Sequence, residues 1–247
     1  MSSTIPEIKV LPNPAAVAAE AAERVAAADE AVELRDTFSL VLAGGSTPKK
    51  LYELLAAEPY RSDVAWPRVE VFFGDERAVP PDHADSNYRM ARDALLSKVP
   101  IPGDNIYRIK GELDPPEEAA KQYGQMLKER FGDDGPDLVL LGMGEDGHTA
   151  SIFPGTPAVA ETKHRVVANH VEQSTTGKSW RITMTAPFIN RARQVMLLVT
   201  GANKAARVAE VLEADIDAPP RYPVQLISPA GGRLVWLLDA AAAGMAE

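Results

Sequence analysis

Five short, mostly apolar runs divide the chain, and none shows the polar and apolar alternation of a strand with one face in water. The runs cover residues 38–43, 69–73, 138–141, 195–199 and 234–238. Because both faces of such a run are apolar, we predict strands that are buried on both sides.

Helical spacing of apolar residues marks the segments between these runs. The alanine-rich residues 14–34 carry an apolar stripe formed by Val17, Ala21, Val25, Ala28 and Val32. Similar patterns predict helices over residues 47–57, 86–98, 116–131 and 202–214. Strands that alternate with helices predict an α/β fold, with a mostly parallel sheet flanked by helices on both faces. Since no clear linker interrupts the pattern, we expect a single domain over residues 1–247.

Composition narrows the chemistry that this architecture can carry. The chain has 247 residues, and a hydrophobic fraction of 45% is ordinary for a globular protein with a substantial core. It has no cysteine, which excludes disulfides, thiolate metal sites and cysteine nucleophiles. Its 4 histidines lack the HxxxH or HExxH spacing of a helical metal site, so we expect no bound metal.

The net charge and the hydropathy of the chain limit the kinds of partner that it can bind. A net charge of −9 argues against binding to nucleic acid or to an anionic membrane, since both need clustered Lys and Arg. The N-terminal residues lack a basic flank followed by an apolar run, and no segment approaches the roughly 18 apolar residues that span a bilayer. We expect a cytoplasmic protein that holds any phosphorylated ligand in a local site, against its overall charge.

Ligands of parallel sheets bind outside the carboxyl ends of the strands, so the residues that follow each apolar run are the candidates. Gly44 and Gly45 follow the first run, and Ser46 and Thr47 begin the next predicted helix. Free amides at a helix N-terminus bind phosphate, and glycines allow a close backbone approach. A strand-to-helix turn that binds nothing is also compatible with these residues.

Charged residues follow the other runs. Asp75, Glu76 and Arg77 come after the second run, where they either reach a ligand or form an ion pair that stiffens a loop. Arg181 and Lys204 accompany the later runs at the predicted ligand edge, where they either bind an anion or serve solubility.

The strongest signal is the stretch DLVLLGMGEDGHT, residues 137–149, which contains the third run and its exit. Its glycines permit a sharp turn that leaves Asp146 and His148 at the end of a buried strand. Histidine is the side chain best suited to proton transfer near neutral pH, and an acid two residues away can fix its tautomer. The alternative is an Asp/His turn with a purely structural role.

The order of these motifs resembles that of a known family. GGSTP, GDER, SNY, LVLLGMGEDGHTASIFPGT, RITMT and LLVTGANKA are similar to motifs of the 6-phosphogluconolactonase family and, more distantly, of glucosamine-6-phosphate deaminase. The match runs from about residue 38 to the final predicted strand. The resemblance implies a Rossmann-like fold and hydrolysis of 6-phospho-D-glucono-1,5-lactone to 6-phosphogluconate in the oxidative pentose phosphate pathway, without metal or organic cofactor.

The resemblance also implies roles for the reactive residues. His148 becomes the general base that takes a proton from water, and Asp146 orients His148 and stabilises its protonated form. Asp75 and Arg77 are implied to shape the site and to contact the phosphosugar lactone.

The substrate phosphate is implied to lie against loop 44–47, with Arg181 and Lys204 as its charged partners. The polar residues 171–180 form either a flap over this site or a connection before Arg181. A monomer or a small homo-oligomer is compatible with the sequence.

Two alternatives to a lactonase stay open. The deaminase has an Asn and a Glu just downstream of its Asp-Gly-His, whereas this chain has no carboxylate between His148 and Glu161. A non-catalytic phosphosugar sensor would need a DNA-binding segment, and the first 36 residues show neither a helix-turn-helix pattern nor a basic cluster.

Overall fold

The structure is a computed structural model that describes residues 5–30, 36–172, 179–214 and 219–245. The strands in these ranges are β1 (Glu7–Leu11), β2 (Phe38–Leu42), β3 (Val69–Phe73), β4 (Asp75–Arg77), β5 (Leu138–Leu141), β6 (Val166–His170), β7 (Trp180–Met184), β8 (Gln194–Val199) and β9 (Arg233–Asp239). The α-helices are α1 (Pro14–Glu30), α2 (Ser46–Leu55), α3 (Tyr60–Asp63), α4 (Asn87–Ala91), α5 (Pro116–Phe131), α6 (Ala186–Ile189) and α7 (Ala205–Leu212). None of these helices is long and apolar enough to cross a membrane.

Six of the strands form a parallel sheet in the order β1-β9-β8-β5-β2-β3. All five strands predicted from the apolar runs belong to it, with bounds within one residue of those predicted. Every residue of β2, β3 and β5 is buried, which confirms that both faces of the sheet centre are covered.

Helices cover this sheet on both faces, as predicted. Phe72 of β3 packs against Phe131 of α5, with ring centroids 5.0 Å apart. The next residue, Phe73, packs edge-on against Tyr88 of α4 at 5.9 Å. Successive residues of a strand point to opposite faces, so α4 and α5 lie on opposite sides of the sheet.

A second, three-stranded antiparallel sheet with the order β4-β7-β6 was not predicted. Its strands are short and include polar residues, so they lack the apolar runs that identify the central strands. Arg181 was predicted to lie at the ligand edge of the parallel sheet. It lies instead within β7, a strand of the small sheet that the apolar runs did not identify. Strand β1 was also missed, because its residues are mostly exposed.

The helices differ from the predicted segments at their ends. The helix predicted over 86–98 consists of α4 followed by a wider π-helical turn, Arg92–Leu96. The helix predicted over 202–214 is a short 3-10 turn, Ala202–Lys204, followed by α7. Residues 31–34 of the first predicted helix, and residues 173–178 of the predicted flap or connection, lie outside the described ranges.

The strand order opens a crevice at one edge of the parallel sheet. From β2 the chain proceeds to β3 on one side, whereas from β5 it proceeds to β8 on the other side. Connections that diverge in this way leave a gap at the carboxyl ends of the two strands, which is where ligands of open α/β sheets bind.

Gly74 joins the second sheet to this edge. Its amide donates to the carbonyl of Leu42 at 2.9 Å, and its carbonyl accepts from the amide of Met184 at 2.8 Å. The chain passes directly from β3 through Gly74 into β4, so the three-stranded sheet lies at the carboxyl edge of the parallel sheet and forms one wall of the crevice.

Tyr52 of α2 holds the exit of β2. Its hydroxyl accepts a hydrogen bond from the Ala43 amide at 2.9 Å and donates one to the Ala43 carbonyl at 2.8 Å. Complete burial raises the pKa of Tyr52 far above its usual value, so the hydroxyl remains a donor at any physiological pH. Ala43 immediately precedes Gly44, so this side chain fixes where loop 44–47 begins.

We expect Tyr52→Phe to lower the free energy of unfolding by about 1–3 kcal/mol, because it leaves a buried amide and a buried carbonyl without partners. Urea denaturation measures the change. Tyr60→Phe is the matched control, since no residue in the described ranges bonds to the Tyr60 hydroxyl. Equal stabilities of the two variants would contradict the role given to Tyr52.

Candidate active site

A cavity of about 420 Å³ lies at the carboxyl ends of β2, β5 and β8, between the two sheets. Its volume falls in the usual range of small-molecule sites, about 300–1,000 Å³. Its wall is formed by Ala43, Gly44, Gly45, Ser46, Thr47, Pro48, Asp75, Arg77, Asn87, Gly142, Met143, Gly144, His148, Ala150, Leu198, Val199, Thr200, Asn203 and Lys204. All predicted site residues except Glu76, Asp146 and Arg181 are among them.

Loop 44–47 turns the chain from β2 into α2. Gly45 has a φ of 106°, a conformation that favours glycine. A Cβ on Gly44 would lie 2.2 Å from the side-chain oxygen of Asn87, so this position admits no side chain. Within the described ranges no side chain caps α2, and the amides of its first turn are left for a ligand.

Thr47 links the loop to the next strand across the crevice. Its hydroxyl lies 2.7 Å from the hydroxyl of Thr200, which follows β8. The neighbouring amide of Gly201 donates to the buried carboxylate of Asp239 at 3.0 Å. These bonds hold the exits of β2, β8 and β9 in a fixed relation around the cavity.

Asp75 begins β4 and is held on both carboxylate oxygens. The Ser151 hydroxyl donates to Oδ2 at 2.6 Å, and the Asn87 amide group donates to Oδ1 at 3.1 Å. Asn87 also donates to the Asp75 carbonyl at 3.0 Å. The carboxylate is therefore fixed in one orientation and partly compensated where it borders the cavity.

Glu76 serves the framework of the site. Its buried carboxylate accepts hydrogen bonds from the amides of Arg77, Asn87 and Tyr88 and from the Ser86 hydroxyl. Burial raises the pKa of Glu76, and these donated bonds oppose the rise. The carboxylate thereby ties the start of α4 to β4.

Arg77 is the cation on this wall. Its guanidinium donates to the Asp85 carbonyl, which holds the side chain across the end of the three-stranded sheet. Among the described residues no carboxylate forms an ion pair with Arg77, so its charge is available to an anion in the cavity.

The loop after β5 carries Asp146 and His148, and its own backbone closes it. The Gly144 amide donates to the His148 carbonyl at 2.8 Å, and the Gly147 amide donates to the Gly144 carbonyl at 3.1 Å. Gly147 has a φ of 79°, and the Thr149 hydroxyl donates to the Gly142 carbonyl at 2.8 Å. The predicted sharp turn is therefore a closed loop at the strand exit.

His148 and Asp146 form a hydrogen-bonded pair, with Nδ1 and Oδ1 2.6 Å apart. Partial burial acts to raise the pKa of Asp146, but the hydrogen bond and charge of His148 outweigh it, so the pKa is lowered and the carboxylate stays ionised. An ionised carboxylate at Nδ1 selects the tautomer with its proton there, which leaves Nε2 as the basic nitrogen. Asp146 thus acts from behind the residue that lines the cavity.

Two neighbours fix the imidazole ring. A Cβ on Gly144 would lie 2.1 Å from His148 Nδ1, so a glycine is required beneath the pair. On the other side, the ring of Phe153 stacks on the imidazole with centroids 4.1 Å apart and planes 27° apart. The imidazole therefore has little freedom to rotate.

The two predicted phosphate cations lie in different surroundings. Lys204 ends the short turn before α7 and lines the cavity, and no described carboxylate forms an ion pair with it. Arg181 is only 6% exposed, lies opposite Arg77 in the β4–β7 pairing, and donates to the Trp180 carbonyl. Burial and the nearby charge of Arg77 lower the pKa of Arg181. The structure does not bring Arg181 to the cavity wall with Lys204.

Sequence reasoning missed several residues of the site. Asn87, Thr200 and Asn203 line the cavity, and Ser151 and Phe153 position Asp75 and His148. Asn87, in the SNY motif, had the clearest signal, because it opens a helix near the predicted edge. Within the described ranges no three His, Cys, Asp or Glu side chains are grouped as a metal site would require.

Known proteins share both this sequence and this fold. A family model described as "Glucosamine-6-phosphate isomerases/6-phosphogluconolactonase" matches residues 12–236. A 6-phosphogluconolactonase of Nostoc sp. is 40% identical over 242 residues, which cover 95% of this chain and 96% of that protein. A 6-phosphogluconolactonase of Homo sapiens is 42% identical over 213 residues, which cover 85% of this chain and 81% of that protein.

A solved structure of 6-phosphogluconolactonase from Trypanosoma brucei has the same fold, with a TM-score of 0.86 and 33% identity. The likeness covers 98% of this chain and 99% of that one. These matches confirm the family resemblance inferred from the motif order. The chain belongs to the glucosamine-6-phosphate isomerase/6-phosphogluconolactonase family.

Proposed function

We propose that this chain is a single-domain enzyme that hydrolyses 6-phospho-D-glucono-1,5-lactone to 6-phospho-D-gluconate, with His148 as the general base. The observation that carries the proposal is the His148–Asp146 pair, which borders the same cavity as the uncapped N-terminus of α2. The similarity to proteins named 6-phosphogluconolactonase supports this choice of substrate.

The reaction begins with a proton transfer from water. With its Nδ1 proton directed to Asp146, the imidazole accepts a proton at Nε2 as the water oxygen attacks the lactone carbonyl. The carboxylate of Asp146 stabilises the imidazolium that forms. A positioned base of this kind contributes about 10²- to 10⁴-fold.

Ring opening completes the reaction. Attack of water on the carbonyl gives a tetrahedral oxyanion, and amides of the glycine-rich cavity wall supply hydrogen-bond donors for it. As the bond from the carbonyl carbon to the ring oxygen breaks, His148 returns its proton to that oxygen. A lactone is an activated ester, so this route needs no serine or cysteine nucleophile and uses only groups of this chain and water.

The phosphate anchors the substrate at a distance from the reacting carbon. In this part of the cavity the phosphate binds to three groups, the amides of Ser46 and Thr47 and the ammonium of Lys204. Arg77 adds a second positive charge to the wall, and the oriented Asp75 carboxylate accepts hydrogen bonds from sugar hydroxyls. Arg181, paired with Arg77 on the neighbouring strand, reinforces the positive potential. Binding away from the reacting centre supplies orientation.

Replacement of the base is the most direct test. We expect His148→Ala to lower kcat for 6-phosphogluconolactone hydrolysis by about 10²- to 10⁴-fold with substrate binding retained, measured on freshly generated lactone. His164→Ala is the matched control, because His164 Nδ1 also bonds to a carboxylate, that of Glu161 at 3.1 Å, but lies away from the cavity. Full activity of His148→Ala would refute the general-base role. Ammonia release from glucosamine 6-phosphate by the wild type would favour the deaminase.

Removal of the carboxylate behind His148 tests the pair. We expect Asp146→Asn to lower kcat by about 10²-fold or more, because an amide no longer selects the Nδ1–H tautomer or stabilises the imidazolium. The value of KM is expected to change little, since Asp146 does not line the cavity. A steady-state comparison of the two constants measures this, and a wild-type kcat would contradict it.

Replacement of Lys204, the cation on the phosphate side of the cavity, is expected to affect KM more than kcat. We expect Lys204→Ala to raise KM by about 10- to 100-fold, with a smaller change in kcat, because it removes a charge-assisted contact with the phosphate. Lys49→Ala is the control, since Lys49 lies on α2 close to the loop but is exposed and pairs with Glu53. An unchanged KM in Lys204→Ala would show that the phosphate binds elsewhere.

A further inference from the structure

We infer that Glu145 is a positioning residue that fixes the distance between the phosphate-binding side of the cavity and His148. This inference rests on the proposed function, because it concerns how the same site holds a substrate that spans it. Glu145 does not line the cavity, and its role is exerted through Asn203, which does, and through Arg207, which does not.

Two hydrogen bonds join Glu145 to the segment that begins α7. The Asn203 side chain donates to Oε1 of Glu145 at 2.6 Å, and Nε of Arg207 donates to the Glu145 carbonyl at 2.9 Å. Asn203 immediately precedes Lys204, and Glu145 immediately precedes Asp146. The two bonds therefore connect the predicted phosphate cation to the acid that orients the base.

Arg207 is itself held in place, so the connection is not a loose surface contact. Its guanidinium lies 4.0 Å from the ring centroid of Tyr222 and pairs with Glu210 at 2.5 Å. Tyr222 packs so closely on Gly147 that a Cβ there would lie 2.8 Å from the Tyr222 Cβ and 2.9 Å from the ring atom Cγ. The loop that carries His148 is thus supported at Glu145 and at Gly147 from the same side.

The effect of the contacts of Glu145 depends on whether the substrate carries a phosphate. A lactone that carries a phosphate is gripped at Lys204 and must present its carbonyl to His148, so its reaction requires a fixed distance between the two. A displacement of about 1 Å at the reacting atoms costs up to 10²-fold. A lactone without phosphate is not gripped at Lys204, and its placement at His148 is independent of that distance.

We expect Glu145→Ala to lower kcat/KM for 6-phosphogluconolactone by about 10-fold and to leave that for D-glucono-1,5-lactone, which lacks the phosphate, almost unchanged. In a Lys204→Ala background, Glu145→Ala is expected to have almost no further effect on the phosphorylated substrate, because the anchor is already lost. This second comparison uses one substrate only, so it applies even where turnover of D-glucono-1,5-lactone is slow.

Matched variants separate positioning from general damage. Glu145→Gln keeps an acceptor for Asn203 and is expected to retain nearly wild-type activity. Arg207→Ala and Arg221→Ala each remove an arginine that contacts the Tyr222 ring and Glu210, but only Arg207 donates to the loop backbone. We therefore expect the loss of activity in Arg207→Ala alone. Melting temperatures confirm that each variant is folded.

Equal losses on both lactones, or a full additional loss in the Lys204→Ala background, would overturn the inference, as would wild-type activity of Glu145→Ala. These results are distinct from a failure of the proposed function, which would appear as an inactive wild type or a fully active His148→Ala. A wild type that depends on His148, with no selective effect at Glu145, rejects the positioning role alone.

Discussion

The absence of a side chain at Gly144 is the constraint on which the site depends. Any Cβ there would occupy the space of His148 Nδ1 and Asp146 Oδ1, at 2.1 and 2.6 Å. With that space open, the loop closes on itself, Asp146 reaches the imidazole, and Phe153 covers one face of the ring. The orientation of His148, the proposed base, is therefore determined by the local backbone, and in the proposed function the remaining elements of the fold bring a substrate to it.

The sequence predicted those parts of the fold that depend on residues close together in the chain. The central strands were predictable because β2, β3 and β5 are buried on both faces, and the loop with Asp146 and His148 was predictable because its glycines follow such a strand. The small sheet was not predictable, because β4 pairs with β7 over a long separation in the sequence and the strands carry mixed polarity. The position of Arg181 beside Arg77 follows from that pairing. The contact between Ser151 and Asp75 likewise joins residues that are far apart in the sequence.

The cavity wall is more positive than the net charge of the chain indicates. The chain carries a net charge of −9, yet the cavity wall presents Arg77, Lys204 and the N-terminus of α2. Asp75, the one carboxylate among the described residues of that wall, has donors on both oxygens, which reduces its repulsion of an anion. In the proposed function, binding of a phosphorylated ligand is thus a property of a few oriented groups, and the surrounding negative charge leaves nonspecific polyanions unfavoured.

Backbone contacts at Gly74, and not the side chains of the cavity lining, join the two sheets that form the cavity. The contacts that join the two sheets at this residue, to Leu42 and Met184, are made entirely by backbone atoms. Exchange of a side chain on either wall therefore leaves these two hydrogen bonds in place. A scaffold of this kind can acquire a new reaction by changes at wall residues such as Asp75 while it continues to accept sugars of the same length.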